Sequence, residues 1–117
     1  MQHKDFRVIL TELGRPDTRL FPLIKCKSGL TMSVQASDFN YSSPRTTLNN
    51  VVDYYEFEIG FPSEAVEELL PYADDSENPT ETVYGWVPFY IIQKIIEDNG
   101  GMIYTSPKIE DKTKFLA

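Results

Sequence analysis

Between Leu30 and Ser37 the chain alternates. Leu30, Met32, Val34 and Ala36 take one face, and Thr31, Ser33, Gln35 and Ser37 take the other. A period of two predicts a strand with an apolar and a polar side. Residues 54–61 repeat the pattern, with Tyr55, Phe57, Ile59 and Phe61 opposite Tyr54, Glu56, Glu58 and Gly60. Two-faced strands of this kind belong to antiparallel sheets. Four more segments read as strands. Phe6 to Leu13 is rich in β-formers and is followed by a turn through Gly14, Arg15, Pro16 and Asp17. Leu20 to Lys27 is mostly apolar, with Pro22 marking an edge or a bulge, and Ser28-Gly29 joins it to residues 30–37 as a hairpin. Thr82 to Val87 and Met102 to Thr105 complete the set.

Two segments predict helices. Ser63 is placed to cap the first, Glu64 and Glu67 suit its first turn, and Val66, Leu69 and Leu70 form its apolar stripe before Pro71. Pro88 suits the first position of the second, which carries Phe89, Ile92, Ile95 and Ile96 at helical spacing and stops at Asn99-Gly100-Gly101. Residues 38–53 form a long irregular loop, a length that in a compact domain often has a function. Residues 74–81 form an exposed loop, and the polar residues 106–117 are expected to be a loose tail. The order β-β-β-β-α-β-α predicts an α+β fold, a mainly antiparallel sheet with two helices packed on one face. Met32, Val34, Phe57 and Ile59 are expected to share a core with Ile92, Ile95 and Ile96.

With 117 residues the chain suits one domain, spanning 1–117. No run of about 18 apolar residues is present, so no membrane span is expected. The start, MQHKDFRVIL, lacks the apolar stretch and cleavage site of a secretory signal, which points to the cytoplasm. The net charge of −7 argues against binding nucleic acid through its phosphates. The charge is also uneven. Residues 1–50 hold seven bases and four acids, whereas residues 51–117 hold four bases and fourteen acids. From Asp53 to Glu81 there are ten acids and no Lys or Arg. Such a stretch is either a solubilising surface or a face for a basic partner, with Glu67, Glu68, Asp74, Asp75 and Glu77 as its candidate contacts.

Raw material for catalysis is thin. The chain has one cysteine, Cys26, in an apolar strand, and one histidine, His3. It carries no glycine-rich phosphate loop, no HExxH, no CxxC and no GxSxG. Asp74, Asp75 and Glu77 lack the glycine and final glutamate of a calcium loop. Glu56 and Glu58 read as a solvated strand face. No enzyme, catalytic residue, metal or cofactor is expected. What remains is a polar constellation suited to holding a ligand. Ser33, Gln35 and Ser37 line a strand face, and the loop after it adds Tyr41, Ser42, Ser43, Arg45 and Thr46. Hydroxyls, an amide and one guanidinium can orient a phosphate or a sugar, and Tyr41, Tyr84 or Trp86 can stack on a base. Arg45 is the only base in residues 28–93.

MSVQAS (32–37), YSSPR (41–45), EIGFPSE (58–64) and TVYGWVP (82–88), with a helix ending in NGG (99–101), resemble a small protein family encoded in bacteriophages and prophages. The resemblance covers about residues 20–101 and carries no catalytic residue across. Phage genomes encode many small acidic proteins that block host immunity. Some inhibit defence nucleases, as anti-CRISPR proteins and DNA mimics do, and others are sponges for nucleotide immune signals. The resemblance thus implies a non-enzymatic anti-defence protein in the host cytoplasm. The expected partner is a nucleotide-like small molecule, bound by a homo-oligomer. The alternatives are an acidic inhibitor of a basic host defence protein and a minor structural or assembly protein of the phage.

Overall fold

The computed structural model describes residues 3–15 and 20–105. Its fold is α+β. A helix α1 (Phe6–Leu13) precedes strands β1 (Ile24–Cys26), β2 (Thr31–Gln35), β3 (Glu56–Gly60) and β4 (Val83–Pro88). Helix α2 (Phe89–Asp98) and strand β5 (Met102–Ile103) follow. The five strands make one antiparallel sheet in the order β4-β3-β2-β1-β5. The expected hairpin pairs Ile24 with Met32, and Val34 lies opposite Ile59. Met32, Val34, Phe57, Ile59, Ile92, Ile95 and Ile96 fall in one core, as the alternation and the helical spacing required.

Phe6–Leu13 is a helix, not the first strand. Phe6, Ile9, Leu10 and Leu13 recur at helical spacing, and the first three are buried. Asp5 fixes the start: its carboxylate accepts from the Arg7 amide at 2.9 Å and pairs with the Arg7 guanidinium at 2.9 Å. Burial pushes the Asp5 carboxyl up, but these contacts from Arg7 outweigh it and hold the group below the usual carboxylate value. A capped amphipathic face thus overrides the β-propensity of Phe, Val and Ile. The start of the helix is tied to α2, where the Gln93 side-chain carbonyl accepts from the Phe6 amide at 2.9 Å.

The segment after Ser63 also departs from expectation. It forms a tighter 3₁₀ helix at Glu67–Tyr72, with only Leu69 fully buried and Leu70 exposed. Ser63 is no cap. Its hydroxyl accepts from the Thr31 amide at 2.9 Å, and its own amide donates to the Thr31 carbonyl at 2.8 Å. Pro71 removes an amide donor that a regular helix would use. The order of regular elements is therefore α-β-β-β-β-α-β.

Strand β3 is shorter than the alternation predicts, which moves three aromatics. Tyr55 and Phe61 lie beyond its ends and are exposed, and Phe61 has a φ of 49°. Tyr54, expected on the polar side, is fully buried. Its hydroxyl donates to the Thr46 carbonyl and accepts from the Leu48 amide at 2.7 Å, pinning the long loop. Helix α2 stops as predicted, with Gly100 and Gly101 at φ values of 85° and 95°. Among the described residues, no helix is long and apolar enough to cross a membrane. The tail 106–117 and the turn residues Pro16 and Asp17 lie outside the described residues.

Candidate functional site

The sheet is irregular at one place. Phe57 pairs with Val87 and Ile59 with Tyr84, so Glu58 alone on β3 faces both Gly85 and Trp86 on β4. An extra residue on one strand is a bulge, a device that re-aims side chains. Trp86 sits there at φ 53°, in the left-handed region that favours glycine, and is 47% exposed. A bulky residue held in that region is strained by about 1–3 kcal/mol and marks a candidate functional position.

The Trp86 amide donates to the Tyr41 carbonyl at 2.9 Å. The two rings stack, with centroids 4.9 Å apart and an interplanar angle of 28°. The Arg45 guanidinium carbon lies 5.3 Å from the centre of the Tyr41 ring. The loop is tied down from β3. Glu58 accepts from the Tyr41 amide and the Asn40 side-chain amide, both at 3.0 Å, and Glu56 accepts from the Ser43 hydroxyl at 2.6 Å. The two glutamates, expected as a solvated strand face, are half-buried anchors of the aromatic pair. A cleft of about 220 Å³ opens beside Tyr41 and Trp86, walled by Tyr72 and Asp74.

Tyr41, Arg45 and Trp86 therefore come together. Four other candidates are turned inward. Gln35 is buried: its side-chain carbonyl accepts from the Phe21 amide at 2.8 Å, and its amide donates to the Phe21 carbonyl and the Ser33 hydroxyl, both at 3.0 Å. Ser37 donates to Asn40 at 2.6 Å, and Ser42 to the Ser37 carbonyl at 3.2 Å, both from buried positions. Tyr84 is fully buried, its hydroxyl donates to the Pro79 carbonyl, and burial pushes its phenol above the usual value. These four groups have partners inside the protein and are not a ligand-facing row. Loop 37–44 folds back on itself and engages Ser37 and Ser42, whereas Phe21, ahead of β1, takes up Gln35, and Pro79, in the loop before β4, takes up Tyr84. Ser33 and Ser43 are half-buried with engaged hydroxyls, whereas Thr46 is exposed.

Glu67, Glu68, Asp74, Asp75 and Glu77 are all exposed. Asp75 also organises its own turn, accepting from the Glu77 amide at 3.1 Å and the Asn78 side chain at 2.8 Å. Among the described residues, no three His, Cys, Asp or Glu side chains are grouped to hold a metal ion. Cys26 is buried, and burial raises its thiol pKa. The sequence reading missed Tyr72, Asp74 as a cleft wall, and Gly85. The one available signal was a glycine inside a strand pattern, which marks a bulge or a close approach.

Gly85 lies against Tyr41: a Cβ added there would come within 3.2 Å of the Tyr41 Cβ. Gly85→Ala is expected to push Tyr41 off Trp86 while the fold remains. Trp86 is the only tryptophan, so its fluorescence reads the change directly. A shifted emission maximum is the expected result, and an unchanged spectrum would show that the loop absorbs the methyl group.

Compared with protein-family models, with curated proteins and with solved structures, the chain matches none.

Proposed function

We propose that this chain is a non-enzymatic binding protein that sequesters a nucleotide immune signal, acting for a phage in the cytoplasm of its bacterial host. The observation that supports this reading is the strained, half-exposed Trp86 stacked on Tyr41 with the Arg45 guanidinium beside it. A base stacks on the exposed aromatic surface, and Arg45 meets the phosphate. Stacking contributes about 1–3 kcal/mol per base and tolerates any base, so it suits a signal known by its phosphates. The cleft is open, and a second copy of the chain is proposed to complete it. Calorimetric titration with cyclic dinucleotides, cyclic trinucleotides and ADP-ribose isomers tests the reading. Binding with a Kd below about 100 μM for one of them supports it, and weaker binding for all of them overturns it.

A second reading has its own observation. Glu67, Glu68 and Asp74 are exposed, form no ion pair among the described residues, and run up to the cleft wall. They suit a basic protein partner. Reversing these three to Lys is expected to slow association with such a partner and to weaken its salt dependence, with stability changed by less than about 0.5 kcal/mol. Unaltered protection of phage in a defence assay would eliminate this reading.

A further inference from the structure

At the opposite edge of the sheet, the hairpin turn after β1 meets the end of α2 and the N-terminal segment. A pocket of about 260 Å³ lies there. It is lined by the polar residues His3, Lys4, Lys27 and Tyr104, and its apolar wall includes Ile9 and Ile96. Among the described residues, no carboxylate lines it. That is unusual in a chain whose net charge is −7.

Two glycines make room for these side chains. A Cβ at Gly101 would come within 2.8 Å of the His3 Nδ1, and one at Gly100 within 3.2 Å of the Lys27 Cβ. The cations are not needed to close the helix. The Ile95, Ile96 and Glu97 carbonyls near the end of α2 are already taken by the amides of Asn99, Gly100 and Gly101. Lys4 is shared with Glu12, whose carboxylate lies 3.0 Å away just outside the pocket. Lys27 and His3 have no ion pair among the described residues, so their donors are uncommitted.

We propose that this pocket binds a small phosphate-bearing molecule, at a site separate from the Trp86 cleft. The Lys27 ammonium and the His3 imidazole are left to donate, and Lys4, shared with Glu12, and Tyr104 line the same pocket. That arrangement matches a tetrahedral dianion better than a flat carboxylate. The apolar wall accepts the part of the molecule that carries the phosphate.

The test is a ¹H–¹⁵N spectrum of the full chain titrated with inorganic phosphate and with pyrophosphate, against sodium chloride at matched ionic strength. Saturable shifts at the Lys27, Gly100 and Gly101 amides, half-complete below about 5 mM, are the expected result. Lys27→Glu, at an exposed position, is expected to weaken binding at least about tenfold while the rest of the spectrum stays in place. Trp86→Ala and Arg45→Ala should leave it unchanged, so this site stands or falls apart from the nucleotide cleft. Shifts that do not saturate, shifts that chloride reproduces, or full affinity in Lys27→Glu would overturn the proposal.

Discussion

Phe57→Ala is expected to lower stability by about 3–5 kcal/mol, the cost of a large cavity in a close-packed interior. Phe57 is fully buried on β3. Its ring meets Phe6 edge-on at 5.2 Å and Tyr54 at 5.7 Å. It therefore joins three parts of the molecule: the sheet, α1, and the buried tyrosine that pins the long loop. Truncation removes contacts to all three, and the surrounding rings are too rigid to collapse into the space. The loss is read from urea unfolding as a lowered midpoint with the slope preserved. A loss below about 1 kcal/mol would mean that Phe57 does not hold these elements together.

Loss of nucleotide binding in Arg45→Ala is the second large effect. If Arg45 meets a phosphate, removing it leaves that charge without its partner. The cost is roughly 2–5 kcal/mol, or at least about 30-fold in Kd. Arg45→Lys should recover only part of this, because an ammonium cannot reproduce the planar fork. Trp86→Ala should cost about 1–3 kcal/mol of stacking. Arg45 is exposed in the free protein, so Arg45→Ala should change its stability by less than about 0.5 kcal/mol. Full affinity in Arg45→Ala, measured by calorimetry with a nucleotide the wild type binds, would move the phosphate contact elsewhere.

Some of this architecture was legible in the residues. Leu30 to Ala36 could satisfy only a period of two, and Phe89 to Ile96 only a helical one, so β2 and α2 follow from local pattern. The glycine pair after Asn99 ended α2 as read. Phe6–Leu13 was ambiguous because its apolar residues fit both periods. There the Asp5 cap and the buried helical face decided, against the β-propensity of Phe, Val and Ile. The segment after Ser63 misled for another reason. Ser63 bonds to Thr31, far away in sequence, which no local cap rule anticipates.

The candidate site divides along the same line. The sequence by itself determined its chemistry: a lone guanidinium in residues 28–93, aromatic residues near it in type, and a long loop able to present them. Alternation assigned Gln35 and Ser37 to the polar side of a strand, because side-chain direction follows from backbone pleat alone. Which polar groups stayed available was decided only by tertiary structure. Loop 37–44 closed on itself and engaged Ser37 and Ser42, while Phe21, ahead of β1, took up the Gln35 amide. The bulge opposite Glu58 placed Trp86 against Tyr41, 45 positions away in the chain. Pattern is a property of neighbours along the backbone, whereas coverage and convergence depend on which distant segments the core brings together.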